Sequence, residues 1–596
     1  MGTASRGVEG GAPSPSAFEN VRLPMSDFEG RTQTDFSAKL AWALDPNQGL
    51  VCGGAGAERA GGAPSRGELV DTWARMLYES YCGKRRLYHT VPHIFKVTEG
   101  TSPLQMLGGL FHDVVYFQPD GALTQSQWEL VNHPTRAVDV AADGKIFVGE
   151  AARGVEAQDD AGEGEGPEGA KAGEGRPASS RRSESPDPLL SLCAGIFGLS
   201  AGAELGVYSG QNEFLSAVIA ARCLALVLPL SVVAQVVTII EATIPFRPQA
   251  FPAQLHERLV RAAERTPGCD LSAAAAKHAV CEAISLANRD VTDFASEDSA
   301  AFLANTWLLL PEGNWELWKP ATYSTSCWRK AIAKCHAFYY RCIQPVNVFH
   351  SFAAEPNADD MALLLKRSRV NIEVARAYLG VKLLAAGVLE ALAIASGGDM
   401  PVSGLMGPLA AASDHGDWES EPQDRRAAER TQRATRMEDN LPQPASHAGG
   451  STSGEPSLLE GLSRDGDLSE AEMSAVVDVE LHRLVYEGRK LESSFDLSRS
   501  PLAAYLLWAM GKSGTQDALA KLLEAWGAPT GEVRGGASGA LKLLKEVLPR
   551  DVACAVVRAC SMAAQERQGA LKKLSEALKR GTPAALTGFP AAARRD

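Results

Sequence analysis

Thr101-Ser-Pro-Leu-Gln-Met-Leu-Gly-Gly-Leu-Phe-His-Asp113 decides the fold class. Ser102 is a helix-capping residue type and Pro103 suits a first turn. Leu104, Leu107 and Leu110 then recur at helical spacing before a His112-Asp113 doublet. Gly108 and Gly109 weaken such a helix but let another backbone come close. Just upstream, Lys84-Arg-Arg-Leu-Tyr-His-Thr-Val-Pro-His-Ile-Phe-Lys-Val97 holds a second helix start. Pro92 disfavours α conformation at Val91 and suits a first turn, so His93 falls at the helix start and His89 in its lead-in.

Outward from this segment, 67–152 and 188–395 carry apolar runs at helical spacing with few alternating stretches, so the expected class is all-α. Residues 1–66, 153–187 and 396–473 are rich in Gly, Ala, Pro and Ser. They are expected to be a disordered tail, a disordered acidic insertion and a disordered linker. Two folded units follow: a helical metal-binding domain over 67–395 and a smaller helical bundle over 474–582, with a tail at 583–596. Three segments of that bundle resemble one another, but their leading residues Leu519, Leu541 and Leu571 are unevenly spaced, which predicts a bundle and not a solenoid. Asp465-Gly-Asp-Leu-Ser-Glu-Ala-Glu472 mimics the end of a calcium loop, yet Gly461 stands where the first ligand should be, so no calcium is expected. The apolar stretch Ala217 to Ile240 is interrupted by Arg222, Pro229 and Gln235 and is expected to be buried core helix, with no membrane contact.

The chain has 596 residues, with 72 acidic against 59 basic side chains and a net charge of -13. That balance disfavours a general nucleic-acid binder, which needs a basic face. It leaves room for a local basic pocket that takes a small phosphorylated substrate. The 11 cysteines show no CxxC pair, as in an intracellular protein with reduced thiols. The N-terminus lacks a secretory pattern, so a cytoplasmic location is the default and an organellar address stays open.

His89, His93, His112 and Asp113 fall within 25 residues of a chain that has 11 histidines in all. Two imidazoles and carboxylates make a mixed nitrogen and oxygen donor set. Adjacent helical residues point about 100° apart, so His112 and Asp113 share an ion only if it lies against that quadrant of the helix.

On these residues, His93-Ile-Phe-Lys-Val followed by Leu-Phe-His112-Asp113-Val-Val-Tyr resembles the H…HD signature of the HD-superfamily metal-dependent phosphohydrolases. The lead-in Arg86-Leu-Tyr-His89 is similar to a predicted phosphohydrolase subgroup that opens R-x-Y-H-x-x-x-H, and Asn212-Glu-Phe-Leu-Ser-Ala217 looks like its N-E-x-x-S-A element. Ile240-Glu-Ala-Thr-Ile-Pro-Phe246 occupies the place of a threonine-containing motif, and Ala287-Asn-Arg-Asp290-Val-Thr-Asp293 resembles the segment that donates the last aspartate. The resemblance covers roughly residues 70–320. It implies an HD-like helical bundle with His93, His112, Asp113 and Asp290 as ligands, Asp293 being the alternate to Asp290. It also implies one divalent ion, with Mn, Mg, Co, Fe and Zn not distinguished. Phe246 stands where relatives with two metals often add a histidine, which favours one ion.

The implied activity is hydrolysis of a nucleotide or other small phosphoester by metal-activated water. Arg86 and Lys96 are candidate phosphate clamps, with Lys84 and Arg85 behind them, and His89 is a further catalytic candidate. Glu213 is expected to transfer a proton or hold a water; the competing reading pairs it with Arg222 or Arg247. Glu241 and Thr243 are expected to serve structure first. The rival readings are a non-catalytic helical scaffold or ligand sensor, with a protein partner on the C-terminal bundle, and an HD-type oxygenase. The aromatic stretch Thr306 to Trp318, with Trp328, Phe338, Tyr339 and Tyr340, is expected to be core before it is a base-stacking pocket.

Overall fold

Each of the apolar periodic stretches folds as a helix, and most of these helices start at a capping residue. A computed structural model describes residues 32–50, 64–141, 144–152, 186–206, 210–318, 323–407, 468–490, 498–528 and 531–579, with positions 437, 440–442, 459 and 496. Among them the chain is all-α apart from one small antiparallel sheet.

Among the described residues, eleven α-helices precede residue 291: α1 (Gln33–Ala43), α2 (Arg66–Tyr81), α3 (Val91–Thr98), α4 (Pro103–Phe111), α5 (Phe117–Asp120), α6 (Gln125–Asn132), α7 (Pro188–Phe197), α8 (Gln211–Leu224), α9 (Leu230–Ala242), α10 (Phe251–Arg265) and α11 (Ala273–Asp290). The sheet, in order β1 (Val138–Val140), β2 (Ile146–Val148) and β3 (Glu204–Leu205), flanks the acidic insertion, most of which lies outside the described residues. One continuous apolar core runs through this unit from Phe36 to Leu286. The apolar stretch expected to be core does not form a single span. The first helix stops at Leu224, Pro229 caps the next, and both α8 and α9 are buried.

Among the described residues, ten α-helices form the second unit: α12 (Ser299–Trp307), α13 (Leu309–Glu312), α14 (Thr325–Arg341), α15 (Ala358–Ser396), α16 (Ser403–Met406), α17 (Glu470–Tyr486), α18 (Pro501–Trp526), α19 (Gly536–Val547), α20 (Arg550–Ala563) and α21 (Gln568–Lys579). Its core runs from Ala295 to Leu578 around α15. That helix has 39 residues and is buried on all sides from Tyr378 to Ala393, where Lys382 and Glu390 are the charged residues in an otherwise largely apolar run. It is the one helix among the described residues long and apolar enough to cross a membrane, and 89% of that window is buried inside the protein. The fully buried Arg329 of α14 locks onto Glu390 of α15 through two bonds of 2.8 and 3.0 Å.

Two expected boundaries are corrected. The stretch 1–66 is not all tail, because α1 packs Phe36 against Tyr81 and Phe95 at ring separations of 5.9 and 5.1 Å. Its buried residues Phe36, Leu40 and Ala43, alone in an otherwise Gly-rich stretch, are too few to show as periodicity. The division between units falls near residue 290 and not at 395, since Ala295 to Ala393 share a core with the C-terminal helices. Within the expected linker 396–473, Met400, Val402, Leu405, Met437, Leu441 and Leu459 are buried in that core. Most of the rest of that linker, and the tail 583–596, lie outside the described residues. Glu472, the last residue of the calcium-loop mimic, forms a capping box with Ser469 at the start of α17. Trp307, Trp328 and Tyr339 are core residues as expected, whereas Trp315 and Tyr340 are exposed.

Candidate metal centre

The centre is assembled where α3, α4 and α11 meet. Ser102 and Gln105 cap α4 reciprocally, and Pro103 occupies its first turn. Ser102 Oγ also donates to Glu282 on α11, and Gln105 Nε2 donates to the Glu282 carbonyl at 3.1 Å. The start of α4 is thereby tied to the helix that ends in Asp290. The two glycines do what their position suggested. A Cβ on Gly108 would lie 2.3 Å from Ile239 of α9, and one on Gly109 would lie 2.6 Å from Thr98 of α3. This close approach brings His112, three residues beyond Gly109, beside His93 on the first turn of α3.

His93, His112 and Asp290 each offer a ligand atom, all within 4.8 Å of one another. His93 Nε2 lies 3.1 Å from Asp290 Oδ1 and 4.0 Å from Asp113 Oδ2, while His112 Nε2 lies 3.0 Å from Asp113 Oδ2 and 3.5 Å from Asp290 Oδ1. Despite these distances, both Nε2 atoms are buried without a hydrogen bond. The other nitrogen of His112, Nδ1, is 2.8 Å from the Gly109 carbonyl, which fixes its proton there and leaves the Nε2 lone pair facing the carboxylates. Buried polar atoms are seldom left unpaired, so two orphaned imidazole nitrogens facing two carboxylates fit a divalent cation well. Burial opposes charge throughout the cluster, but proximity wins: the imidazoles hold Asp113 and Asp290 well below the usual carboxylate range, and the carboxylates push His112 up.

The remaining candidates are placed less uniformly. Glu213 sits in the first turn of α8, where burial pushes its carboxyl up to about 7, with the Asp113 charge adding to the effect. Its expected competitors are engaged elsewhere: Arg222 pairs with Asp187 at 2.9 Å and Arg247 with Glu241 at 2.7 Å. Glu241, fully buried, also meets Arg258, and Thr243 donates to the Ile240 carbonyl, so both serve structure as expected. Arg86 is not placed as a phosphate clamp. It is buried, with Nε and Nη2 on the Asp120 carboxylate at 3.1 and 2.6 Å, and Nη1 on the Asp113 carbonyl at 2.7 Å. Lys96 is exposed and bound to Asp293 at 2.7 Å; Asp293, the alternate ligand, is thus held outside the cluster. Phe246 adopts a left-handed backbone, φ 60°, with its ring against Phe294 and Phe338.

His89 stands beside the centre, its ring 5.7 Å from that of His93 and 4.1 Å from that of Tyr116. Burial would lower its pKa, but the Glu312 carboxylate, 2.7 Å from Nδ1, raises it on balance. Glu312 carried no signal in the sequence, because what marks it is three backbone N–H groups of a segment more than 200 residues away. Asn212 and Ser216 were visible as a motif without a role. Their side-chain oxygens accept from Phe117 N at 3.0 Å and Val115 N at 3.1 Å, bracing the chain just beyond Asp113.

No family model, no curated protein and no solved structure matches this chain.

Proposed function

We propose that the chain is a metal-dependent phosphohydrolase acting on a nucleotide or other small phosphoester. The observation that carries this reading is the pair of buried His93 and His112 Nε2 atoms without hydrogen bonds, facing the Asp113 and Asp290 carboxylates. A divalent ion held by these four residues would polarise a phosphoryl oxygen and lower the pKa of an attacking water.

The chain's own residues supply the rest. The Gly109 carbonyl fixes the tautomer of His112, and Arg86 holds the Asp113 backbone, so two of the four ligands are oriented before anything binds. Glu213 feels the charges of both His112 and Asp113, and with its carboxyl near 7 it is suited to take the proton of the attacking water at the Oε atoms. Lys96, at the exposed rim, adds positive charge outside the ligand cluster.

The test is metal analysis of the purified chain, followed by a screen of nucleotides and simple phosphoesters with Mn, Mg, Co, Fe and Zn. A stoichiometric divalent ion is expected in the wild type and none in the His112→Ala, Asp113→Ala double variant. A wild type without metal, or a double variant that keeps it, overturns the reading.

A further inference from the structure

We infer that His89, held by Glu312, is the donor that grips a non-bridging phosphoryl oxygen of the substrate; this rests on the phosphohydrolase reading above. Glu312 belongs to α13 of the second unit and is almost fully buried. Its Oε1 accepts from the backbone N–H of Leu87, Tyr88 and His89 at 2.7, 2.8 and 3.2 Å, and its Oε2 faces His89 Nδ1 at 2.7 Å. Three backbone N–H donors converge on this carboxyl, which favours its anionic form, and an anion of this kind is the natural counter-charge for an imidazolium.

With Nδ1 bound, the free end of the ring is Nε2, which makes no hydrogen bond among the described residues, and the side chain keeps 13% of its exposure. The ring is held between Tyr116, tilted 31° to it, and Tyr88, which it meets edge-on, so Nε2 has a fixed direction. It stands one ring away from His93 but outside the set of atoms that converge for an ion. A ring paired with a buried carboxylate and fixed beside a metal site, but not ligating in it, is placed to bind a phosphoryl oxygen as charge develops there. Arg86, whose guanidinium is spent on Asp120 and the Asp113 carbonyl, leaves that task to another residue. Glu312 is then a positioning residue: it acts on the substrate through His89.

The experiment uses the full chain loaded with Mn, titrated calorimetrically with inorganic phosphate, alongside metal stoichiometry. His89→Gln and Glu312→Gln are each expected to keep the metal and to weaken phosphate about tenfold, as for one lost charge-assisted hydrogen bond. The double variant is expected to be no weaker than either single one, because both changes remove the same contact. Loss of metal in His89→Gln overturns the inference by making His89 a ligand, and so does unchanged phosphate affinity or an additive double variant. If Glu312→Gln fails to fold, His89→Gln alone decides. A wild type that binds no metal sinks the phosphohydrolase reading itself, a separate outcome from these.

Discussion

Replacing Arg86 by methionine separates a residue that builds the centre from one that binds substrate. The side chain is fully buried and spans three acceptor groups: the Asp120 carboxylate through two bonds, the Asp113 carbonyl at 2.7 Å and the Val114 carbonyl at 3.4 Å. Removing one partner of a buried pair costs about 3–5 kcal/mol. Asp120 keeps 22% of its side-chain exposure and can recover water, so the lower end of that range applies. The larger functional consequence is that the Asp113 carbonyl loses the donor that sets its position. A change in the shell behind a ligand weakens metal about 10–100-fold. The assay is competition for Mn against a chelator of known affinity, with urea unfolding run in parallel. Arg86→Lys is expected to fall in between, since one ammonium cannot span the fork. If Arg86→Met binds Mn as tightly as the wild type while its phosphate affinity drops, Arg86 reaches the substrate and the reasoning is refuted.

Glu213→Gln is expected to keep its metal and lose about 10²–10⁴-fold in turnover, measured on whichever phosphoester the screen identifies; loss of metal instead would make it a ligand. Phe36→Ala removes a ring packed on Tyr81, Tyr78 and Phe95 and is expected to cost about 3–5 kcal/mol, read from urea unfolding; a neutral result would mean α1 is not part of the first core. Asp298 gives a pH dependence: burial opposes its charge, but Arg483 at 2.7 Å and Lys490 at 2.6 Å hold its carboxyl below the usual value. A depressed folded-state pKa contributes stability above the unfolded value, near 3.9, and loses it as pH falls through the folded value. The urea midpoint of the second unit should therefore drop below about pH 4. Asp298→Asn should flatten that drop, and an unchanged acid slope would refute the pairing.

The parts of the fold legible in the sequence were those encoded locally. Ser102, Pro103 and the three leucines of α4 specify their helix within a dozen residues, and the all-α class follows from many such segments. Gly108 and Gly109 announced a close approach, although not that Ile239 and Thr98 make it. The convergence of His93 and His112 was readable from spacing, while Asp290 depended on resemblance and is brought in by α11. What stayed hidden was encoded at long range. The boundary near 290 is invisible because the apolar periodicity of 299–395 is as good as that of 188–290, and periodicity does not say which core a helix joins. The pairing of Arg86 is hidden for the same reason, since its partner Asp120 lies 34 residues on.

The corrected boundary changes what the second unit is for. All four candidate ligands lie before residue 291, so a minimal metal-binding fragment could be drawn without the second core. Yet the lead-in to His93 is held by Glu312, and Asn288, two residues before Asp290, exchanges a pair of bonds with the His350 backbone at 2.7 and 3.0 Å. The second unit thus grips the centre on two sides, at the segment before one ligand and at the helix end that carries another. A bundle that served only to recruit a partner would have no need of either contact. Cutting the chain at 395 would not respect this arrangement, because α15 would lose the α18 face where the Trp526 ring lies within 2.8 Å of a Cβ built on Gly387. The C-terminal helices close the second core, and through α13 that closure extends to the carboxylate that orients His89.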